Sequence, residues 1–233
     1  MGMKTKFKLE NSGYYLLGLI VLVILGFWNS YFSKLFTQTD ELNIYFHFHA
    51  VIAFLWILIV IVQPFLIKRG DVNLHRKIGK LSYVLIALVF ISVLLLAHSR
   101  HTIDEEGLGL RLLVPFKDLI ILGIVYAIAM WNRKTTPIHA RAMIASGIVF
   151  IEPALIRVIR NFFEVGAPYM VTVGIVYLLL LILTVVTWKY KKGRWVFPLV
   201  LIMYLVVHMI LMFRVQIGLL ENFAKWFIQL PLT

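Results

Sequence analysis

The sequence contains no cysteine, and only 15% of its 233 residues are charged. The absence of cysteine excludes disulfides, thiolate metal sites and cysteine nucleophiles, so His, Asp, Glu and Met remain as protein ligands. With 61% hydrophobic residues and a mean hydropathy of +0.91, the chain has more apolar surface than a soluble core of this length can bury. We therefore expect lipid to cover the remainder.

No stretch alternates apolar and polar residues strictly, so helices rather than a β-barrel are expected to satisfy the backbone in lipid. Crossing a hydrocarbon core of about 30 Å takes roughly 20 apolar residues. Runs of that length predict an all-α, polytopic membrane bundle of about seven transmembrane helices, forming a single domain over residues 1–233. The predicted spans are 14–32, 46–67, 78–98, 112–131, 139–162, 169–190 and 195–213.

Lys and Arg concentrate before the first span and after the second, fourth and sixth, whereas most acids lie in the other loops. Cytoplasmic loops of membrane proteins are enriched in Lys and Arg. We therefore expect a multi-pass protein of the inner (cytoplasmic) membrane, with its N-terminus in and its C-terminus out. The net charge of +12 then reflects topology, and no nucleic-acid partner is expected. The basic residues include Lys4, Lys6, Lys8, Lys68, Arg69, Arg76, Arg133, Arg141, Lys192 and Arg194, and the acids include Asp40, Glu41, Asp104, Glu105, Glu106, Glu164 and Glu221.

Ionisable side chains inside a span cost about 2.5–3.5 kcal/mol on insertion scales, so they normally face the bundle interior and often mark function. Five such residues from five predicted spans fall in the outer half of the membrane: His49, His98, Asp118, Glu152 and His208. Imidazole and carboxylate bind Zn, Fe and Cu, and imidazole pairs also bind haem iron. We predict a metal site of His49, His98, His208 and Glu152, with Asp118 and Glu152 as catalytic or proton-relay groups.

Histidines at helix ends also occur as ordinary interfacial residues, which is an alternative explanation for His47, His98 and His101. His208 lies deeper, and a hydrogen bond to a neighbour would equally explain it, because burying an unpaired imidazole is costly.

Glu152 is followed on the same span by Arg157 and Arg160. This pattern predicts either charge compensation within the membrane or a binding site for an anion. Lys117 and Asp118 are adjacent and are expected to pair locally.

A second cluster lies at the predicted cytoplasmic starts of two spans, where His75 precedes Arg76 and His139 lies two residues before Arg141. Such basic helix starts attract anionic headgroups, although they also set topology. Gln63, at the inner end of the preceding span, is placed to hydrogen-bond to this cluster.

The motif around His75 resembles one in an uncharacterised bacterial family of membrane proteins. Members carry a histidine at the outer end of one span and a Leu-His-Arg-x-x-Gly motif, followed by a tyrosine, at the start of the next. The matching residues are His49, Leu74, His75, Arg76, Gly79 and Tyr83. The family has no settled activity, so the resemblance only singles out these positions.

The histidines also give a looser likeness to multi-helix b-type cytochromes, which hold haem b between histidines on facing helices. That likeness implies His75 and His139 as an inner pair, and two of His49, His98 and His208 as an outer pair. The seven-helix zinc hydrolases of the ceramidase type are a further comparison. Their His-x-x-x-His on the last span is absent here.

The leading functional expectation is a membrane-embedded protein that binds haem b or a transition metal (Zn, Fe or Cu) and acts in electron transfer or redox chemistry near the outer face. One alternative is a metal-dependent lipid hydrolase, in which the metal activates water and Glu152 takes a proton. Another is a small transporter or receptor with an intramembrane Glu/Arg anion site. The expected partners are membrane lipids and a redox partner or another membrane subunit.

Overall fold

The computed structural model describes residues 11–37, 42–215 and 217–233. Of the charged residues used to predict topology, Lys4, Lys6, Lys8, Asp40 and Glu41 lie outside these ranges. The described residues confirm the all-α class. Their helices are α1 (Ser12–Phe27), a π-helical turn (Trp28–Phe32), α2 (Ser33–Thr37), α3 (Ile44–Lys68), α4 (Val72–His98), α5 (Leu108–Trp131), α6 (Thr136–Ile148), α7 (Ile151–Phe162), α8 (Pro168–Thr187), α9 (Val196–Met212) and α10 (Gly218–Ile228).

Six helical segments in the described part of the chain are long and apolar enough to cross a membrane: Ser12–Phe36, Ile44–Lys68, Val72–His98, Leu108–Trp131, Thr136–Phe162 and Pro168–Thr187. The chain is thus a multi-pass helical membrane protein. Helix α9 is apolar but has 17 residues, which span about 25 Å and fall short of a core of about 30 Å. The seventh crossing and the orientation of the termini stay predictions.

Loops 69–71, 132–135 and 188–195 carry much of the basic charge, and we call the end of the bundle that bears them the basic end. The other end is called the opposite end.

The bundle has an apolar interior and an apolar exterior. Trp56 of α3, Val125 of α5 and Phe197 of α9 are fully buried members of one large cluster. On the outside, Trp131 is 91% exposed and Val185 is 74% exposed. An apolar outer surface suits a protein whose surroundings are lipid.

The fifth predicted span is divided into α6 and α7. Pro153 has no N–H to donate to the carbonyl of Val149, four residues earlier, and the α-helix is interrupted at Val149 and Phe150. The interruption lies within one turn before Pro153. Because α7 begins at Ile151, Glu152 lies in the first turn of a half-helix.

Helix α1 lies directly against α7. A Cβ at Gly26 would overlap the carbonyl oxygen of Ala154, so only glycine permits this approach. Small residues allow such close packing between transmembrane helices. The guanidinium of Arg157 lies 4.4 Å from the centroid of the Phe27 ring, which extends the same contact.

Helix α10 packs back onto the start of α5. Ala224 and Phe227 are buried together with Leu112, and Glu221 Oε2 accepts a hydrogen bond of 2.9 Å from the Gly109 amide. The sequence predicted no element here, because 11 residues are too few to form a span. Helix α9 starts at the basic end, and the chain that follows it therefore lies at the opposite end of the bundle.

The absence of cysteine makes the topology directly testable. We expect Asp104→Cys, at the opposite end, to react with a membrane-impermeant maleimide on intact cells, and Arg69→Cys, at the basic end, to react only after permeabilisation. The unsubstituted chain serves as a blank. Labelling of Arg69→Cys alone on intact cells would reverse the predicted orientation.

Candidate functional site

Four ionisable side chains from three helices meet inside the bundle, and we call Lys117, Asp118, Glu152 and His208 the buried charge cluster. Lys117 Nζ lies 2.7 Å from Asp118 Oδ1 and 3.0 Å from Glu152 Oε2. The same Glu152 oxygen lies 3.2 Å from Nε2 of His208. The side chains of Lys117, Glu152 and His208 are at most 6% exposed, so water is largely excluded from the cluster.

Two members of the cluster lie well inside the long apolar segments that carry them. Asp118 lies about 15 Å along α5 from its start, and Glu152 lies about 15 Å from the end of α7. Asp118 is deeper than its predicted span implied, because α5 begins at Leu108 rather than at residue 112. As the second residue of α7, Glu152 also faces the positive end of that helix's dipole, which favours a carboxylate.

Three tyrosines surround the imidazole of His208. The rings of Tyr169, Tyr177 and Tyr204 have centroids 5.9, 5.6 and 5.3 Å from that of His208. The Tyr177 hydroxyl lies 3.0 Å from His208 Nδ1. A hydroxyl can donate or accept, so Tyr177 satisfies Nδ1 whether or not the imidazole carries a second proton.

The cluster is not neutral when its members hold their usual charges. One ammonium on Lys117 stands against two carboxylates on Asp118 and Glu152, which leaves one negative charge. A proton on His208, or on one of the carboxyl groups, removes that charge. Since a net charge in a low-dielectric interior is costly, the enclosed cluster favours the state with this additional proton.

The other predicted ligands have different partners. Among the described residues, no three His, Asp or Glu side chains are grouped closely enough to hold a metal ion. A metal or haem held by the predicted outer-half ligands would therefore require other side-chain positions. The pairs found are His49 Nδ1 with Ser92 Oγ (3.1 Å), His98 Nδ1 with Thr233 Oγ1 (2.6 Å) and His47 Nδ1 with Tyr31 Oη (3.1 Å).

Glu152 makes its ion pair with another helix and not with the arginines that follow it. Arg157 donates instead to the carbonyl of Pro153 on its own helix, and Arg160 is exposed. The predicted local pair of Lys117 and Asp118 is present.

The loop histidine His101 contributes to a separate, partly buried pair. Its Nδ1 lies 2.9 Å from Glu105 Oε2, and the Thr102 amide donates to the same carboxylate at 2.9 Å. These hydrogen bonds, that from His101 first, hold the pKa of Glu105 below its ordinary value. The pair orders the loop between α4 and α5.

The two histidines of the basic end lie close together, with ring centroids 6.5 Å apart. His139 donates from Nδ1 to the carbonyl of Ala129 at 2.9 Å. A neutral His139 therefore carries its proton on Nδ1, and its Nε2 is unprotonated. In the orientation that satisfies both of its amide atoms, Gln63 donates to Nδ1 of His75 and accepts from the Gly79 amide at 3.2 Å. A neutral His75 then carries its proton on Nε2.

Both histidines line a cavity of about 1600 Å³ at the basic end, which we call the basic cavity. Its deeper wall is apolar and includes Leu16, Val60 and Ile144. Its lining contains no acidic residue and seven basic ones: Arg76, Lys80, Arg133, Lys134, Arg141, Lys191 and Lys192.

Sequence reasoning missed the tyrosines around His208. Tyr204 lies four residues before His208 on α9, and this spacing places both on one helix face, so it offered a signal. Tyr169 and Tyr177 lie on α8, and nothing in the sequence linked that helix to α9.

Comparisons of the chain with protein-family models, with curated proteins and with solved structures give no match. The resemblances to the Leu-His-Arg family and to b-type cytochromes stay predictions. The fold and site together define a class, the multi-pass helical membrane proteins with a buried charge cluster. A particular function must be argued from that cluster and from the basic cavity.

Removing the cation from the cluster is expected to destabilise the protein. Lys117→Met leaves two buried carboxylates without their partner, and breaking a buried pair costs about 3–5 kcal/mol. Unfolding in detergent micelles measures this loss, and a second substitution, Glu152→Gln, should restore part of it. Lys225→Met removes an exposed pair with Glu221 (3.8 Å) and should change stability by less than about 0.5 kcal/mol. Equal effects of the two lysine substitutions would contradict the cluster's structural role.

Proposed function

We propose that this chain is a proton-coupled membrane transporter in which the buried charge cluster holds the coupling proton. The observation that supports this most is the composition of the cluster, in which one ammonium faces two carboxylates and one imidazole. Buried ionisable groups in membrane helices commonly belong to ion pathways and proton relays. A cluster that needs one additional proton for neutrality is suited to take up and release that proton.

The contacts within the cluster provide a short route for the proton. His208 Nε2 and Glu152 Oε2 are 3.2 Å apart, so a proton can pass between them along one hydrogen bond. Tyr177 satisfies the other imidazole nitrogen in either state. Asp118 is the most exposed member of the cluster, with 21% of its side chain accessible.

The backbone around the cluster also supports transport. Secondary transporters build their ion sites near the bilayer midplane from discontinuous helices. Glu152 lies at such a discontinuity, between α6 and α7. The basic cavity lies to one side of the helix interruption, whereas the cluster beside the interruption is closed. This arrangement is the one expected of a carrier that is open towards one face of the membrane.

The redox interpretation is a second candidate, supported by the spacing of His75 and His139. Imidazole pairs can hold haem iron or another metal, and the rings of these two histidines have centroids 6.5 Å apart in the lining of one cavity. For His75 to offer Nε2 to haem iron or another metal, Gln63 would have to accept from Nδ1 instead of donating to it.

The proton site is tested by infrared difference spectra of the purified protein between about pH 5 and about pH 8. We expect a protonated-carboxyl or imidazolium signal that Glu152→Gln abolishes, because removing one carboxylate leaves the cluster neutral without an additional proton. In His208→Gln an imidazolium signal should be lost and a protonated-carboxyl signal kept, since Lys117 then faces two carboxyl groups. Glu221→Gln, which removes a carboxylate at the opposite end, serves as the matched control and should leave the signal unchanged. A difference spectrum that is identical in the wild type and Glu152→Gln would refute the proposal.

The second candidate is tested by the absorption spectrum of the protein purified from haem-replete cells. A haem held between the two histidines would give a Soret band that is lost in both His75→Ala and His139→Ala and kept in His47→Ala. Metal analysis of the same samples detects a bound metal where no Soret band is present. If the protein shows no Soret band and contains no bound metal, the redox candidate is ruled out.

A further inference from the structure

We infer that the basic cavity is a binding site for an amphipathic anion, a phosphate headgroup with an acyl tail, of the kind that phosphatidic acid represents. The inference combines a buried cation that lacks a counter-ion, a rim of like charge and an apolar inner wall.

Arg141 is the buried cation. Its side chain lines the cavity, and the residue is 1% exposed. One guanidinium nitrogen donates to the carbonyls of Pro137 (2.8 Å) and Lys192 (3.0 Å), but Nε is buried without a hydrogen-bond partner. The described residues give Arg141 no carboxylate partner, and its remaining cation contact is the ring of Tyr190, 5.7 Å away.

A buried guanidinium without a counter-charge is unfavourable by several kcal/mol. An arginine fork matches the oxygens of a phosphate group, and Nε–H is one of the donors used in that match. The unpaired Nε of Arg141 thus marks the place where an anion would compensate the charge.

The rim adds further attraction for the same sign of charge. Arg76 and Lys80 on α4, and Arg133 and Lys134 after α5, line the cavity and have exposed side chains. Because no acid lines the cavity, these cations attract an anion without competition from within the site.

The inner wall decides between a small anion and an amphipathic one. Free phosphate has no apolar surface to bury against Leu16, Val60 and Ile144, whereas an acyl chain would cover them and lose its contact with water. The volume of about 1600 Å³ also exceeds the 300–1,000 Å³ typical of drug-sized ligands. We therefore assign the cavity to a lipid-like phosphate and not to inorganic phosphate.

Binding of this ligand stands on the cavity alone, whereas its role as the transported substrate rests on the proposed function. Loss of the infrared signal in Glu152→Gln tests the transporter. Binding to the cavity is measured separately, so one proposal can fail while the other holds.

The test uses the full chain in uncharged detergent and titrates it with dihexanoyl phosphatidic acid below its micelle concentration, using calorimetry. We expect inorganic phosphate and dihexanoylglycerol each to bind at least about tenfold more weakly, because each lacks one half of the recognition. Phosphate that binds as tightly as the phosphatidic acid would overturn the amphipathic assignment. Equally tight binding of the uncharged diacylglycerol would overturn the anionic one.

The variant Arg76→Gln with Lys80→Gln is expected to weaken phosphatidic acid binding at least about tenfold, because it removes two of the cations that line the cavity. Its matched control, Lys77→Gln with Lys189→Gln, removes the same charge from positions outside the cavity and should change affinity by less than about threefold. Equal weakening in both variants would show attraction to the surface as a whole and overturn the site.

Arg141→Gln should abolish the binding while its circular dichroism spectrum and elution volume stay those of the wild type. If this buried substitution prevents folding, the rim variant and its control still decide the outcome. Wild-type affinity in a folded Arg141→Gln protein would contradict the role assigned to the unpaired guanidinium.

Discussion

A charge in the middle of a membrane must find its counter-charge within the protein, and this requirement organises the centre of the molecule. Lys117, Glu152 and His208 come from α5, α7 and α9, and the carboxylate of Glu152 contacts both of the others. This cluster constrains the rotation of the three helices, since turning any one of them would break a buried contact of Glu152. The tyrosines packed around His208 close the space that water would otherwise enter.

The spans could be predicted from the sequence because their signal is local. A run of about 20 apolar residues identifies a helix wherever it later packs, and Glu152 and His208 stood out because ionisable residues in such runs are rare. Helix α10 could not be found in this way, because it is short and is stabilised by burial against α5.

The partners of the site residues depend on helix rotation, which the sequence does not specify. Glu152 and Arg157 are five residues apart and so point about 140° away from each other on one helix, which explains why proximity in sequence did not make a pair. The predicted pair of the adjacent residues Lys117 and Asp118 is confirmed, because the long lysine side chain can turn towards its neighbour. His49 and His98 found hydroxyl groups on Ser92 and Thr233, partners with no distinguishing pattern in the sequence.

The centre and the basic end of the molecule differ in how their charged groups are arranged. At the centre, one ammonium, two carboxyl groups and one imidazole lie in contact at distances of 2.7–3.2 Å. At the basic end, like charges converge around a wide cavity without an acid among them. Helix α1 contacts both regions. Gly26 lies against Ala154 on the half-helix that carries Glu152, and Leu16, earlier on the same helix, lines the basic cavity. Because Gly26 leaves no room for a side chain, a larger residue there would displace α1 and so alter the wall of a cavity at the other end of the helix.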